Sequence, residues 1–116
     1  MRPESPKYLY DVREAIDKII TFTRGCDLAR YTRDEMLRSA VERQLEIIGE
    51  ALAQLARRDP DAVGRVTEYP RIIAFRNILI HGYAEVDSRL VWDIVTTKLS
   101  ALRSEVVSLL TEAERG

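Results

Sequence analysis

Residues 32–57 read TRDEMLRSAVERQLEIIGEALAQLAR, and this stretch decides the fold. Met36, Leu37, Ala40, Val41, Leu45, Ile48, Leu52 and Leu55 recur at spacings of three and four, which lines one stripe of an α-helix. Thr32, with Glu35 three residues on, reads as a capping box at its start. Asp59-Pro60 ends the pattern after about Arg57. At 1.5 Å rise per residue, such a helix is about 40 Å long and traverses a domain of ordinary size. The remaining elements must pack along it.

Working upstream, Ser5-Pro6 offers an N-cap followed by proline at the first helical position. Leu9, Val12, Ile16, Ile19, Ile20 and Thr23 repeat the three-four spacing, and Gly25 closes that helix at C′. Cys26 to Tyr31 read as a short linker. Downstream, the stretch from Pro60 to Pro70, with Gly64 inside, reads as a loop with one helical turn around Ala62 to Val66. Pro70 opens a third, shorter helix, Arg71 to about His81, with Gly82 near its end. Asp87 or Ser88 caps a fourth that carries Leu90, Val91, Ile94, Val95, Leu99, Leu102, Val106, Leu109 and Leu110. No segment sustains period-two alternation, so no sheet is expected. The fold class is all-α: an up-and-down helical bundle of four main helices, one domain over residues 1–116.

Composition bounds the function. A chain of 116 residues hides roughly two-thirds of its unfolded surface and needs no metal or disulfide staple. With 46% hydrophobic and 32% charged residues it is not a disordered chain. Cys26 is the only cysteine, which excludes an intrachain disulfide and a Cys-based zinc site. The N-terminal residues lack the apolar core of a signal peptide, and runs such as Ile78-Leu79-Ile80 are too short to span a membrane. A cytoplasmic protein without a membrane partner is expected. The formal charge of −1 gives no whole-protein attraction to nucleic acid, so any RNA binding must come from a local patch. His81 is the only histidine, so a site needing two imidazoles must assemble two chains.

Arg76-Asn77-Ile78-Leu79-Ile80-His81-Gly82-Tyr83 carries the chemistry. Asn77 and His81 are four apart and share a helix face; Arg76 sits about 100° round from Asn77 and can reach over it. Arginine presents a planar fork of donors to a phosphate, histidine an acid or base near neutral pH, and asparagine can orient either. The combination suits metal-free phosphodiester cleavage, in which a 2′-hydroxyl loses a proton and the leaving oxygen gains one. The same residues admit a structural reading, with His81 as a cation at a helix C-terminus, Arg76 paired to a glutamate and Asn77 capping a turn.

The segment resembles the R-x4-H-x-Y motif of HepT-like HEPN-domain toxins, partners of minimal nucleotidyltransferase (MNT) antitoxins. Tyr8-Leu9-Tyr10-Asp11-Val12 is similar to the family's opening helix, and Ala40 to Ala51 to its second. Val86-Asp87 with Val91-Trp92 looks like the start of its last, so the likeness covers about residues 8–105. Two departures are Ala84, where an aromatic often follows the motif, and Glu68-Tyr69-Pro70-Arg71, where many members carry Pro-Trp. The resemblance implies a homodimer whose two motif helices line one cleft and an endoribonuclease toxin acting on tRNA or mRNA without metal or cofactor. Arg76 would stabilise the transition-state phosphate, His81 act as acid or base, and Asn77 orient substrate or imidazole. Tyr83 would receive AMP from the MNT-type nucleotidyltransferase antitoxin, the added anion repelling RNA and occupying Arg76. The alternative is a non-catalytic nucleotide- or RNA-binding helical subunit of a nucleotidyltransferase complex.

Other residues carry two readings. Glu42, Glu46 and Glu50 form an acidic stripe on the long helix, either solvated and paired with Arg13, Arg38 or Arg43, or holding Arg76 or His81 in place. A metal site on these carboxylates lacks a matching ligand set, and none is expected. Arg71 and Arg76 could share a patch at the cleft. Trp92 is read as a core or dimer anchor, and Tyr31 and Tyr69 as exposed.

Overall fold

The computed structural model describes residues 1–81 and 86–115. Among them, helices account for every regular element: α1 Ser5–Thr23, α2 Leu28–Arg33, α3 Glu35–Arg58, α4 Pro60–Val63, α5 Tyr69–His81, α6 Ser88–Thr97 and α7 Leu99–Arg115. The long α3 is the spine. On one side it packs against α1, which in turn carries α7; on the other it carries α5. The core between these layers is aliphatic, with Leu9, Val12, Ile16 and Ile19 of α1 meeting Val41, Leu45, Ile48 and Leu52 of α3 and Leu102, Val106 and Leu109 of α7. These are the positions the three-four spacing singles out. The described chain measures 45 × 29 × 19 Å, thin enough that α5 keeps one side in solvent.

Four local readings of the sequence need correction. The stretch Cys26 to Tyr31 is not a plain linker: Asp27 accepts from the Arg30 N–H at 2.8 Å and starts α2. Thr32 therefore lies inside α2, and Asp34 caps the spine instead, accepting from the Leu37 N–H at 3.0 Å. Both residues are good caps, and Asp34 wins because α2 claims Thr32. At the N-terminus Glu4, not Ser5, holds the cap position. Ser5 instead donates its hydroxyl to Asp59 Oδ2 at 2.7 Å, and Asp59 also accepts from the Arg2 and Ala62 N–H groups, at 3.0 and 3.2 Å. The Arg2 N–H, then Ser5, hold the Asp59 carboxyl below the usual carboxylate range. This buried clasp ties the N-terminus to the α3–α4 junction.

The expected fourth helix is two, broken at Lys98. Thr96 and Thr97 donate their hydroxyls back to the carbonyls of Trp92 and Asp93, at 2.9 and 2.6 Å, which competes with the helical ladder and bends the backbone there. The break lets α6 turn onto α2 while α7 runs along α1. Tyr31, expected exposed, is fully buried and stacks on Trp92 with ring centroids 5.3 Å apart. Trp92 thus anchors α6 to the core. Gly25 does sit at the end of α1, with φ +76°, where a side chain would be strained.

Candidate active site

Arg76 leaves α5 on the side facing the spine, and its side chain is only 17% exposed. It can lie there because position 49 of α3 is glycine. A Cβ at Gly49 would overlap the Cβ of Arg76 and stand 3.0 Å from its Cγ. Glycine in a helix interior is unfavourable by about 1 kcal/mol against alanine. Here it opens the space that the arginine stem fills.

The guanidinium is then gripped from two sides. Nη1 donates to Oε2 of Glu50, one residue on from Gly49. Nε and Nη2 both donate to Asn77 Oδ1, at 3.2 and 2.7 Å. Glu50 is itself steadied by Gln54, whose amide donates to Oε1 at 3.3 Å; that hydrogen bond and then Arg76 hold its carboxyl below the ordinary range. The fork is therefore fixed in direction, one edge on a carboxylate and another on an amide oxygen. Asn77 shares the solvent side of α5 with His81, the helix's last residue, whose ring is exposed and makes no hydrogen bond among the described residues. Arg76 wraps round to this side through Asn77, as the spacing suggests. Gly82 and Tyr83 lie outside the described residues.

Of the acidic stripe, Glu50 is the member that meets Arg76 within the subunit. Glu46 pairs with Arg43 at 3.2 Å. Glu42 is half-buried, and burial first, then Glu46, push its carboxyl above the usual range against the pull of Arg38. Arg71 does not share a patch with Arg76 inside one subunit. Five residues apart, the two are turned by about 140° on the helix, and Arg71 pairs instead with Glu68 at 3.2 Å with most of its side chain in solvent. Among the described residues no three His, Cys, Asp or Glu side chains are grouped as metal ligands. Sequence reasoning missed Gly49, whose signal was a lone glycine inside an otherwise unbroken apolar stripe.

The solvent side of α5 is the other half of the site. Arg71, Ala74, Asn77, Ile78 and His81 fall on it at helical spacing, all exposed, and Ile78 is 54% exposed. With Ala74 at its middle, this face lets a second helix approach closely.

An all-helical domain that projects arginine, asparagine and histidine from one helix beside a long spine has the arrangement of a HEPN domain. A family profile described as "Ribonuclease HepT-like" matches residues 12–109. A protein of Methanocaldococcus jannaschii described as "Putative RNase" is 35% identical over 99 residues, covering 85% of this chain and 90% of its own. A protein of Thermococcus cleftensis described as "Probable ribonuclease HepT" is 34% identical over 109 residues, covering 94% of this chain and 98% of its own. No solved structure matches the chain. The chain belongs to the HepT-like family of HEPN ribonucleases. No helix of the described residues is long and apolar enough to cross a membrane.

Proposed function

We propose that the protein is a metal-independent endoribonuclease toxin of the cytoplasm that cleaves RNA, tRNA or mRNA, at a cleft between two copies of the chain. The observation that carries this reading is the fixed fork: Arg76 is held between Glu50 and Asn77, on the helix that also presents His81 to solvent. In the free subunit the fork is occupied by its own carboxylate. A scissile phosphate takes over the Nη1 edge, since Glu50, with half its side chain in solvent, is free to swing aside.

Cleavage needs a base to take the 2′-hydroxyl proton and an acid to protonate the leaving 5′-oxygen. One chain has one imidazole. A two-fold pairing through the exposed α5 face, centred on Ala74 and Ile78, brings two copies of His81 to one cleft, one for each role. It also concentrates two Arg76 fork edges locally, which supplies the positive charge that the near-neutral chain lacks overall. Neutralisation follows from an MNT-type nucleotidyltransferase that transfers AMP to Tyr83, two residues beyond His81, adding an anion beside the cleft.

Expression of the chain alone should arrest growth, and Arg76→Ala or His81→Ala should relieve the arrest with an unchanged melting curve. Co-expression with the nucleotidyltransferase should add AMP-sized mass increments that vanish in Tyr83→Phe. Full toxicity in both Arg76 and His81 variants would overturn the assignment. Purified protein that binds RNA and never shortens it would establish the alternative, a non-catalytic binding subunit of a nucleotidyltransferase complex.

A further inference from the structure

A shallow groove of about 240 Å³ runs between α1, α3 and the last turn of α5. Its apolar part includes Ile47, Ala51 and Ile80, the last half in solvent. Its polar part sets three carboxylates, Asp11, Glu46 and Glu50, against one cation, Arg43. Arg43 leans on Glu46 with 67% of its side chain exposed, a pair of little strength. Such a surface repels a nucleic-acid backbone and favours a cation on an apolar stem. Arginine has both, a methylene stem and a planar fork that matches carboxylates. One wall is already a guanidinium ligand from its other side, since Glu50 accepts from Arg76.

We propose that this groove seats an arginine side chain presented by a protein partner. Its stem lies on Ile47, Ala51 and Ile80, and its guanidinium among Asp11, Glu46 and Glu50. Glu50 is shared between the groove and the candidate active site, so a guanidinium entering the groove draws it off Arg76 and frees the Nη1 edge. Docking is thereby coupled to the state of the fork. The groove stands without the ribonuclease reading; the effect on cleavage rests on it.

The test is an NMR titration of the labelled full chain with acetyl-arginine amide, following the methyls of Ile47, Ala51 and Ile80 and the Nε–H signal of Arg76. Saturable shifts with a millimolar midpoint are expected at all four, and none with acetyl-norleucine amide. The double variant Asp11→Asn, Glu46→Gln, checked for an unchanged melting curve, should weaken binding by about tenfold. Shifts that do not saturate, an equal response to norleucine or lysine amide, or binding untouched by the double variant would overturn the proposal. Groove shifts with an unmoved Arg76 signal would refute the coupling alone. Both sets of shifts in a protein that never cleaves RNA would count against the ribonuclease reading and not against the groove.

Discussion

Gly49→Ala places a methyl group against the Cβ of Arg76, with the arginine Cγ and Cδ at 3.0 and 3.4 Å from it. Carbon atoms settle at about 3.5–4.0 Å, so α5 must back away from the spine by roughly 1 Å at this level. Two effects on stability oppose each other. Alanine improves the helix by about 1 kcal/mol, and forcing a methyl into a filled contact costs about 1–3 kcal/mol. The net lies between about zero and 2 kcal/mol of destabilisation, a fall in Tm of no more than about 8 °C for a chain of this length. The chemistry is less forgiving, because a displacement of about 1 Å at a positioning contact costs about 100-fold in rate. Melting by circular dichroism and cleavage of a fluorogenic RNA oligonucleotide measure the two effects separately. A variant that melts about 4 °C above wild type, the helix propensity gain alone, and cleaves at the wild-type rate would refute the claim that Gly49 sets Arg76.

Further outcomes follow from other contacts. The buried Tyr31 hydroxyl has no hydrogen-bond partner among the described residues, so Tyr31→Phe should raise stability by about 1 kcal/mol in denaturant unfolding; a lower midpoint would mean the hydroxyl is satisfied. Asp59 is held ionised by its clasp, so its contribution is full above its unfolded pKa and is lost as pH falls through its lower folded one. Wild type should therefore lose more Tm than Asp59→Asn between pH 5 and 2.5 (about the carboxylate range), and equal losses would contradict the clasp. Ile78→Asp, on the exposed face of α5, should give a monomer by light scattering with cleavage largely gone; an active monomer would sink the shared cleft.

Where burial repeats along a long helix, the pattern was readable: the stripes of α1 and α3 and the terminal Gly25 all fall where spacing puts them. What escaped were decisions made by competition or by distant partners. α2 has six residues, too few to show a period, yet its formation moves the cap of α3 from Thr32 to Asp34. The break at Lys98 depends on two threonine hydroxyls bonding backward, inside a stripe that looks continuous from Leu90 to Leu110. At the site, the Arg76–Asn77 neighbourhood follows from one helix. That Glu50 is the carboxylate meeting Arg76, and that Gly49 admits the arginine, depends on how α5 crosses α3. That crossing is a tertiary fact invisible to spacing along either helix. Tyr31 was misplaced for a similar reason, since only α6 folding back onto α2 buries it.

The central claim is that Arg76 and His81 cut RNA by transferring protons around a held phosphate. Its most direct measurement is cleavage of a defined RNA by purified protein in EDTA, with the new ends read by mass spectrometry. Wild type should leave a 2′,3′-cyclic phosphate, and Arg76→Ala and His81→Ala should each lower the rate by at least about 100-fold while keeping the wild-type melting curve. Cleavage that stops on chelation, or that survives in both variants, would contradict it.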